Sequence, residues 1–402
     1  MLNKIIIIIF IAIASLVAFV YTNQVEVQSV NYAKILQERS LKALNSTSNT
    51  PIKIGISFTN DKSLGNKNRD FKYGIELATK IVNKDSLLDG RKIKLVYEKY
   101  PKDTEKAKDI SRKFARDLDM VATISNSDTN IAIPISIDYE FSGLTFLSTS
   151  ATDPLFTRES FKYIFRNIPD DVSMANSLAK LADTLQYENI VVLHSKSKYG
   201  NTLSNIFIQK GTELGMRMIY RTSFSDEDRI FKKVVSKISP SKNKDIDYDA
   251  IFIAGELDSV SDLIVQLRES GIYAPIITGD NLDSDKLLEI GDMANGVIVP
   301  TYFNLEILNF KTQEFIKTYK KEYGILPNSD SVEGFDSIIL LSEAIKKAKS
   351  TEPSDISESL KYIGNFESIS GNYSLNTKGD VVNKKIFFKK VINKKFKFLN
   401  VK

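Results

Sequence analysis

Apolar and polar positions alternate with two different periods along the chain from residue 51 onwards. Residues 52–58 alternate at every second position, which is typical of a strand, whereas the apolar residues within 71–82 recur at helical spacing. A second strand pattern follows at 92–97 and a second helix pattern at 104–118. Strands separated by helices of this length predict right-handed βαβ units and a parallel sheet.

The same alternation starts again after residue 167. A helical pattern at 174–185 precedes a strand pattern at 190–193, and further helical patterns separate this strand from those at 248–254 and 275–279. A chain of 402 residues exceeds what one core usually spans. We therefore predict an α/β fold of two doubly wound, Rossmann-like lobes. Ligands of such sheets bind beyond the carboxyl ends of the strands, so residues that directly follow strands are the candidates for a binding site.

The N-terminal segment is apolar. Residues 5–25 carry no charge, a stretch of 21 residues. A membrane-spanning helix needs about 20 apolar residues, and the core of a signal peptide has about 7–15. The sequence therefore predicts export, with residues 1–25 as a signal peptide or a membrane anchor, and the poor cleavage site favours the anchor. Residues 26–50 are predicted to be a polar linker that could contain one weak amphipathic helix.

The composition excludes several classes of function. Lys and Arg number 55 against 50 Asp and Glu, a nearly neutral balance that gives no reason to expect a nucleic-acid partner. The chain has no cysteine and one histidine, His194, which excludes disulfides, thiolate or multi-histidine metal sites and a lipidated N-terminal cysteine. Neither a nucleotide-binding glycine loop nor a G-x-S-x-G motif is present. We expect no catalytic residues, no metal and no cofactor.

Several short motifs occur in a fixed order between residue 146 and residue 380. They are Phe-Leu-Ser-Thr-Ser-Ala-Thr-Asp-Pro at 146–154 with Arg166 and Asp171 beyond it, Tyr-Gly at 199–200, the segment 319–327, Gly-Phe-Asp-Ser at 334–337 and the glycine-punctuated segment 369–380. Together they resemble the type I periplasmic binding-protein family, in particular its leucine/isoleucine/valine-binding branch. The resemblance covers residues 52–402.

The resemblance implies a clamshell of two lobes joined by three hinge crossings, near residues 167, 300 and 365. Lobe one would comprise 51–167 and 301–364, and lobe two 168–300 and 365–402. It implies no reaction: a monomeric protein of the periplasm, which residues 5–25 could tether to the inner membrane, would present a small solute to an ABC permease. The solute would be an amino acid of the branched-chain type.

Two other classes of function remain open at this point. A membrane-tethered sensory or regulatory domain of the same fold would bind a ligand without feeding a permease, and the missing lipobox cysteine together with the long apolar N-terminus suits it. An enzyme on this fold, such as an amidase, lacks the expected nucleophile constellations.

The resemblance also implies ligand contacts at the ends of strands. In the family, hydroxyl and backbone N–H groups of two loops hold the ligand carboxylate, and the matching residues here are Ser127, Ser150, Ala151 and Thr152. Asp280 matches the acid that takes the ligand ammonium, Tyr199 the aromatic residue that packs over the solute, and Glu256 is a weaker candidate. Helix capping is the alternative role of the hydroxyls and of Asp280. We leave His194 out of the site, because a lone histidine is more often a hydrogen-bonded rim residue.

Three loops depart from the pattern of the family. The first loop, 58–65, keeps only the glycine at 65; Ser125 and Asn126 replace a Gly-Pro pair, and Glu98 and Lys99 replace paired acids. The pocket is therefore expected to have changed its ligand or to have lost binding.

Overall fold

The computed structural model describes residues 30–47, 50–61, 66–85, 88, 90–158, 161–239 and 246–400. The predicted signal peptide or anchor over residues 1–25 lies outside these residues, as do residues 62–65 of the altered first loop. Within the described ranges, no helix is both long enough and apolar enough to cross a membrane.

Strands and helices alternate through most of the chain. The helices are α1 (Tyr32–Leu44), α2 (Lys67–Lys84), α3 (Thr104–Arg116), α4 (Thr129–Ser142), α5 (Asp171–Thr184), α6 (Lys198–Glu213), α7 (Lys232–Ile238), α8 (Leu257–Glu269), α9 (Phe310–Tyr323), α10 (Ser329–Ala348) and α11 (Pro353–Lys361). The strands are β1 (Ile52–Thr59), β2 (Ile93–Tyr100), β3 (Met120–Asn126), β4 (Thr145–Ser148), β5 (Ile164–Arg166), β6 (Asn189–Ser195), β7 (Arg217–Phe224), β8 (Ala250–Ala254), β9 (Ile276–Thr278), β10 (Val297–Thr301), β11 (Phe366–Ser368), β12 (Gly371–Leu375), β13 (Val381–Val382), β14 (Phe387–Ile392) and β15 (Lys395–Phe398).

A five-stranded parallel sheet in the order β2-β1-β3-β4-β5, with the helices α2–α4 and α9–α11, forms what we call the first lobe. Helix α10 packs against α2 at very short range, because two glycines meet there. A Cβ atom on Gly334 would lie 2.2 Å from the backbone oxygen of Phe71, and one on Gly74 would lie 1.9 Å from that of Ser331. The glycine that opens the motif at 334–337 therefore serves helix packing.

The second lobe is built on a seven-stranded sheet in the order β15-β14-β10-β9-β8-β6-β7, with the helices α5–α8. Strands β6 to β10 run parallel, and β14 pairs antiparallel with β10. Phe207 of α6 and Phe252 of β8 stack at 3.9 Å between ring centroids within its core. The mixed α/β fold of two doubly wound sheets agrees with the prediction.

The chain passes between the two lobes three times, but the third passage differs from the expected position. It leaves the first lobe after β5, returns to that lobe after β10, and leaves again only between β13 and β14, after a separate three-stranded sheet in the order β11-β12-β13. Phe366 and Tyr373 are each 1% exposed and pack in the core of the first lobe, within 5.1 Å of each other by ring centroids. Burial of these two rings keeps residues 366–382 with the first lobe, so the predicted boundary at residue 365 is too early.

Residues 32–44 form the helix that the sequence allowed within the predicted polar linker, and this helix is docked on the first lobe. Arg39 of α1 is 2% exposed. Its guanidinium donates to the carbonyl oxygens of Met120 at 2.6 Å, Asp117 at 3.1 Å and Ser142 at 3.3 Å, and also to that of Ala115. Several of these carbonyls belong to the C-terminal ends of α3 and α4, where helix dipoles favour a cation. The segment is therefore held by a buried charge, and the weak amphipathic pattern that suggested a helix here did not predict this contact.

Candidate functional site

A cavity of about 550 Å³ lies between the two lobes. This volume is in the range of small-molecule sites. Its walls are formed by residues at or beyond the ends of strands: Asn126 at the end of β3, Ser150 after β4, Tyr199 after β6, Glu256 after β8 and Asp280 after β9. The cavity thus lies at the carboxyl ends of both sheets, where open α/β sheets bind ligands.

The wall of the first lobe is the loop that follows β4. Arg166 of β5 is fully buried behind this loop, and its guanidinium donates to the carbonyl oxygens of Ala151 at 2.8 Å and Asp153 at 2.9 Å. The same side chain forms an ion pair with Asp380 at 3.0 Å and donates to Thr157 Oγ1 at 2.9 Å. These bonds hold the loop in one shape, so that its outward-facing hydroxyls are pre-positioned.

The structure brings only some of the predicted hydroxyl residues to the cavity. Ser150 and Thr152 line it. Ser127 is 2% exposed and pairs with the Ser125 hydroxyl at 2.9 Å, and Ala151 is fully buried, with its N–H donated to Ser148 Oγ at 3.0 Å. Neither Ser127 nor Ala151 is therefore among the residues of the cavity wall, because both face the packed side of their loops.

The residues that cap the neighbouring helices are not the hydroxyl residues predicted to contact the ligand. Asp128 caps α4 by accepting from the N–H groups of Asn130 and Ile131, and Asp153 accepts the N–H of Leu155 at the short 3₁₀ turn that follows the β4 loop. Capping therefore does not explain Ser127 or Thr152.

The wall of the second lobe is centred on Asp280. Its two carboxylate oxygens accept hydrogen bonds from the hydroxyls of Tyr199, at 2.8 Å, and Tyr302, at 2.9 Å. Burial, together with the charge of Asp280, raises the pKa of both tyrosines well above 10, so both hydroxyls stay protonated as donors. Asp280 caps no helix with its side chain. It is a carboxylate held in place by neutral groups, and it has one face towards the cavity.

Gly279 makes this arrangement possible. A Cβ atom at this position would lie 2.0 Å from the hydroxyl oxygen of Tyr199. Any larger residue would displace the tyrosine from Asp280. The strand end Ile276–Thr278 thus needs a glycine directly before the acid.

Asp171 is a second carboxyl group of the cavity that the sequence did not single out as a contact. It is 1% exposed, lines the cavity, and its Oδ1 has no hydrogen-bond partner among the described residues. Burial, together with the negative charge of Asp280, raises its pKa to about 8. Asp171 belongs to the motif that carried the resemblance, which was the available signal.

The remaining candidates lie at the rim or outside the cavity. Glu256 lines the cavity, and burial and the charge of Asp226 raise its pKa to about 6. His194 is 6% exposed, and its Nε2 accepts from Arg221 at 3.2 Å, which suits its omission from the site. Within the described ranges, no group of three or more histidine or acidic side chains is placed to hold a metal ion.

Polar contacts connect the two lobes around the cavity. Lys198 at the start of α6 forms an ion pair with Asp153 of the first lobe at 3.0 Å. At the crossings, Lys384 lies 2.7 Å from Glu333 Oε1 and donates to the carbonyl of Asn167 at 2.7 Å, with its side chain 1% exposed. The site is therefore bounded by a rim ion pair on one side and a buried one on the other.

Comparison with known proteins agrees with a cleft between two doubly wound sheets. The family described as "Periplasmic binding protein" matches residues 51–395. The chain belongs to the periplasmic binding protein family. Within it, the relatives and structures place the chain among the type I members of the leucine/isoleucine/valine-binding kind, which confirms the resemblance seen in the motifs.

Among the relatives of this periplasmic binding protein is the "Leu/Ile/Val-binding protein homolog 1" of Brucella abortus. It is 26% identical over 330 residues, which cover 81% of this chain and 86% of the relative. A substrate-binding protein from Desulfitobacterium hafniense, solved in complex with Leu, has a TM-score of 0.77 and 28% identity over 87% of this chain and 100% of its own. A leucine-binding protein from Thermotoga maritima has a TM-score of 0.77 and 25% identity over 87% and 97% of the two chains.

Proposed function

We propose that this periplasmic binding protein captures an amino acid between its lobes outside the cytoplasm and delivers it to an ABC permease. The observation that carries the proposal is the pairing of two different walls. Asp280, whose hydrogen-bond partners among the described residues are the two neutral tyrosines, lines the same cavity as the loop with the Ser150 and Thr152 hydroxyls. An ammonium group suits the first wall and a carboxylate suits the second.

The ligand in this proposal is oriented by its charges. Its ammonium donates to Asp280, and its carboxylate accepts from the hydroxyls of the loop after β4. A charge-assisted hydrogen bond of this type stabilises a complex by about 1.5–3 kcal/mol. The name of the Brucella abortus relative refers to leucine, isoleucine and valine, and the Desulfitobacterium hafniense protein was solved with Leu, which supports an amino acid of the branched-chain type as the first ligand to test.

Thermal unfolding with each of the common amino acids tests the proposal. A ligand at 100 times its dissociation constant adds about 2.7 kcal/mol to the free energy of unfolding. We expect at least one amino acid to raise the melting temperature in a concentration-dependent way, and isothermal titration calorimetry to give one site per chain. If no amino acid raises it, the proposed ligand class is wrong.

The permease partner is tested separately, by uptake. We expect deletion of the gene to abolish saturable uptake of the ligand that the thermal screen identifies, and a plasmid copy to restore it. Unchanged uptake, with binding intact in vitro, would instead favour the sensory domain, which binds the same ligand without feeding a permease.

A further inference from the structure

Residues 381–402, which include β14 and β15, are strongly basic. They contain eight lysines and no acidic residue, although the whole chain carries a formal net charge of only +5. The rest of the chain is therefore negative overall, and the positive charge is concentrated in this segment. A local excess of charge attracts a partner of the opposite sign even where the net charge of the protein is small.

The lysines of this segment fall into two groups. Three of them have an acidic partner: Lys384 pairs with Glu333 at 2.7 Å, Lys394 pairs with Asp292 at 3.3 Å, and Lys389 pairs with Asp283. Lys390, Lys395 and Lys397 have no hydrogen-bond or ion-pair partner among the described residues. Lys395 and Lys397 are exposed, and Lys390 is half-buried. The charge of the second group is therefore left for a partner outside the chain.

The strand register places the three unpaired lysines on one face of the β14–β15 hairpin. Lys390 lies directly opposite Lys397, and Ile392 lies directly opposite Lys395. Opposite residues of antiparallel strands project from the same side of a sheet, as do residues two positions apart on one strand. The other side carries Val391, which is fully buried in the core of the second lobe. We call the side with Lys390, Lys395 and Lys397 the basic face.

Protection of the sheet edge does not account for the basic face. Strand β15 lies at the edge of the second sheet, and lysines on edge strands prevent pairing with other chains. Lys390, however, belongs to the inner strand β14, and like charges directly opposite each other destabilise a sheet. The pair of Lys390 and Lys397 therefore carries a repulsion that an external anion would relieve.

The basic face lies at the far end of the second sheet from the cavity. Strand β14 runs antiparallel to β10, and Lys390 pairs with Ile298 near the amino end of β10. The cavity lies at the carboxyl ends of the parallel strands, where Asp280 follows β9. An anion on the basic face therefore does not compete with a ligand in the cavity.

The shape of the basic face and the location of the protein favour a lipid surface as the partner. A sheet face is flat and presents its charges side by side, which fits an extended array of phosphates better than a single enclosed anion. The family implies an extracytoplasmic location, where the headgroups of anionic lipids provide such an array. Lysines that approach an anionic membrane are attracted to it within a Debye length.

We propose that the basic face binds the headgroups of anionic phospholipids and holds the second lobe at a membrane surface. The contact is electrostatic, and it adds membrane association to the proposed function without depending on the identity of the ligand in the cavity.

Flotation of the full chain with lipid vesicles tests the inference. Vesicles of phosphatidylcholine alone are compared with vesicles in which about one third of the lipid is phosphatidylglycerol. Residues 5–25 carry no charge, so they do not distinguish the two compositions. We expect tighter binding to the phosphatidylglycerol vesicles. This preference should disappear as the salt concentration rises from about 0.01 M to about 1 M, because the Debye length then falls from about 30 Å to about 3 Å.

Two triple variants locate the contact. Lys390→Gln, Lys395→Gln and Lys397→Gln together should lower the preference for phosphatidylglycerol vesicles by roughly tenfold to a hundredfold. The matched control is Lys317→Gln, Lys320→Gln and Lys321→Gln, which removes the same charge from exposed lysines of α9 that lie beside Glu314 and Glu322. It should change the preference by less than about threefold, because the acids of this helix already offset its lysines.

Each outcome decides the inference. Equal binding of the wild type to both kinds of vesicle would overturn it, as would two triple variants that bind alike. Binding to polyglutamate without binding to the vesicles would assign the basic face to an acidic protein instead. Circular dichroism checks the fold of the variants, and Lys397→Gln alone, at an exposed position, replaces the hairpin variant if that variant does not fold. Failure of the lipid contact leaves the proposed function untouched, because no amino acid is present in these experiments.

Discussion

Replacing Asp280 by asparagine removes the charge that we propose binds the ligand ammonium and changes little else. The two tyrosine hydroxyls that bond to Asp280 can rotate, so an asparagine amide can accept from one of them and donate to the other. The variant should therefore fold with nearly native stability. Only the electrostatic part of ligand binding should be lost.

The size of the loss follows from the burial of the pair. Truncating one partner of a buried, hydrogen-bonded charge pair costs about 2–5 kcal/mol, largely because the other charge is left unpaired. This corresponds to a reduction of affinity by roughly 30-fold to several thousand-fold. Tyr302→Phe, which removes one donor to Asp280 and keeps the charge, should cost less, about 1 kcal/mol.

Calorimetric titration with the amino acid found in the thermal screen measures both variants, and thermal unfolding without ligand checks their fold. Glu256→Gln is the matched control, because it removes a rim carboxylate that has one weak side-chain partner, Asn281 at 3.4 Å. We expect it to change affinity by less than tenfold. If Asp280→Asn binds the ligand as tightly as the wild type, the assignment of the ammonium to Asp280 is wrong.

Three further predictions concern stability. Gly334→Ala should lower the free energy of unfolding by about 1–3 kcal/mol in urea, because its Cβ would meet the Phe71 backbone oxygen at 2.2 Å, whereas Gly364→Ala, with nothing within 4 Å, should not. Arg39→Met should cost about 3 kcal/mol or more, because several buried carbonyls lose their donor, and an unchanged urea midpoint would contradict the docking of α1. Asp171 has a pKa of about 8 in the folded protein against an ordinary value of 3.8. The stabilisation that its proton provides is therefore complete below pH 3.8 and is lost as the pH rises towards 8. Over this range the free energy of unfolding should fall by up to about 1.4 kcal/mol per pH unit. Asp171→Asn should flatten this part of the pH profile of ligand-free protein, and a profile as steep as that of the wild type would refute the shift.

The pattern of apolar residues predicted the sheets well because it reflects burial, and strands such as β8 and β10 are buried along their whole length. The resemblance pointed to Tyr199 and Asp280, and their positions agreed with it, because each follows a buried strand and parallel strands end at one edge. Ser127 and Ala151 were predicted by the same rule but face inwards, because the direction of a side chain one or two residues past a strand depends on the turn, which residue types alone do not determine.

Local sequence patterns could not predict contacts between segments that are far apart in the chain. Arg39 docks α1 through carbonyl groups more than 70 positions away, and the weak amphipathic pattern of this segment indicated a helix but not where it packs. The late third passage between the lobes has a similar cause, because Phe366 and Tyr373 are placed by a core assembled from much earlier residues. Asp171 was visible in its motif, yet its missing partner is a property of three-dimensional packing.

The support behind the loop after β4 has a consequence for the order in which the protein can mature. Arg166 receives its counter-charge from Asp380, and its backbone N–H donates to the carbonyl of Gly379 at 3.0 Å, more than two hundred positions further along the chain. A nascent polypeptide that has emerged only as far as α11 contains every residue of the loop but lacks Gly379 and Asp380, which hold Arg166 in place. Contacts of such large sequence separation form late, since loop closure must precede them. Ligand capture should thus be among the last properties that the growing chain acquires, and a prematurely terminated product would present the first sheet without a finished receptor surface.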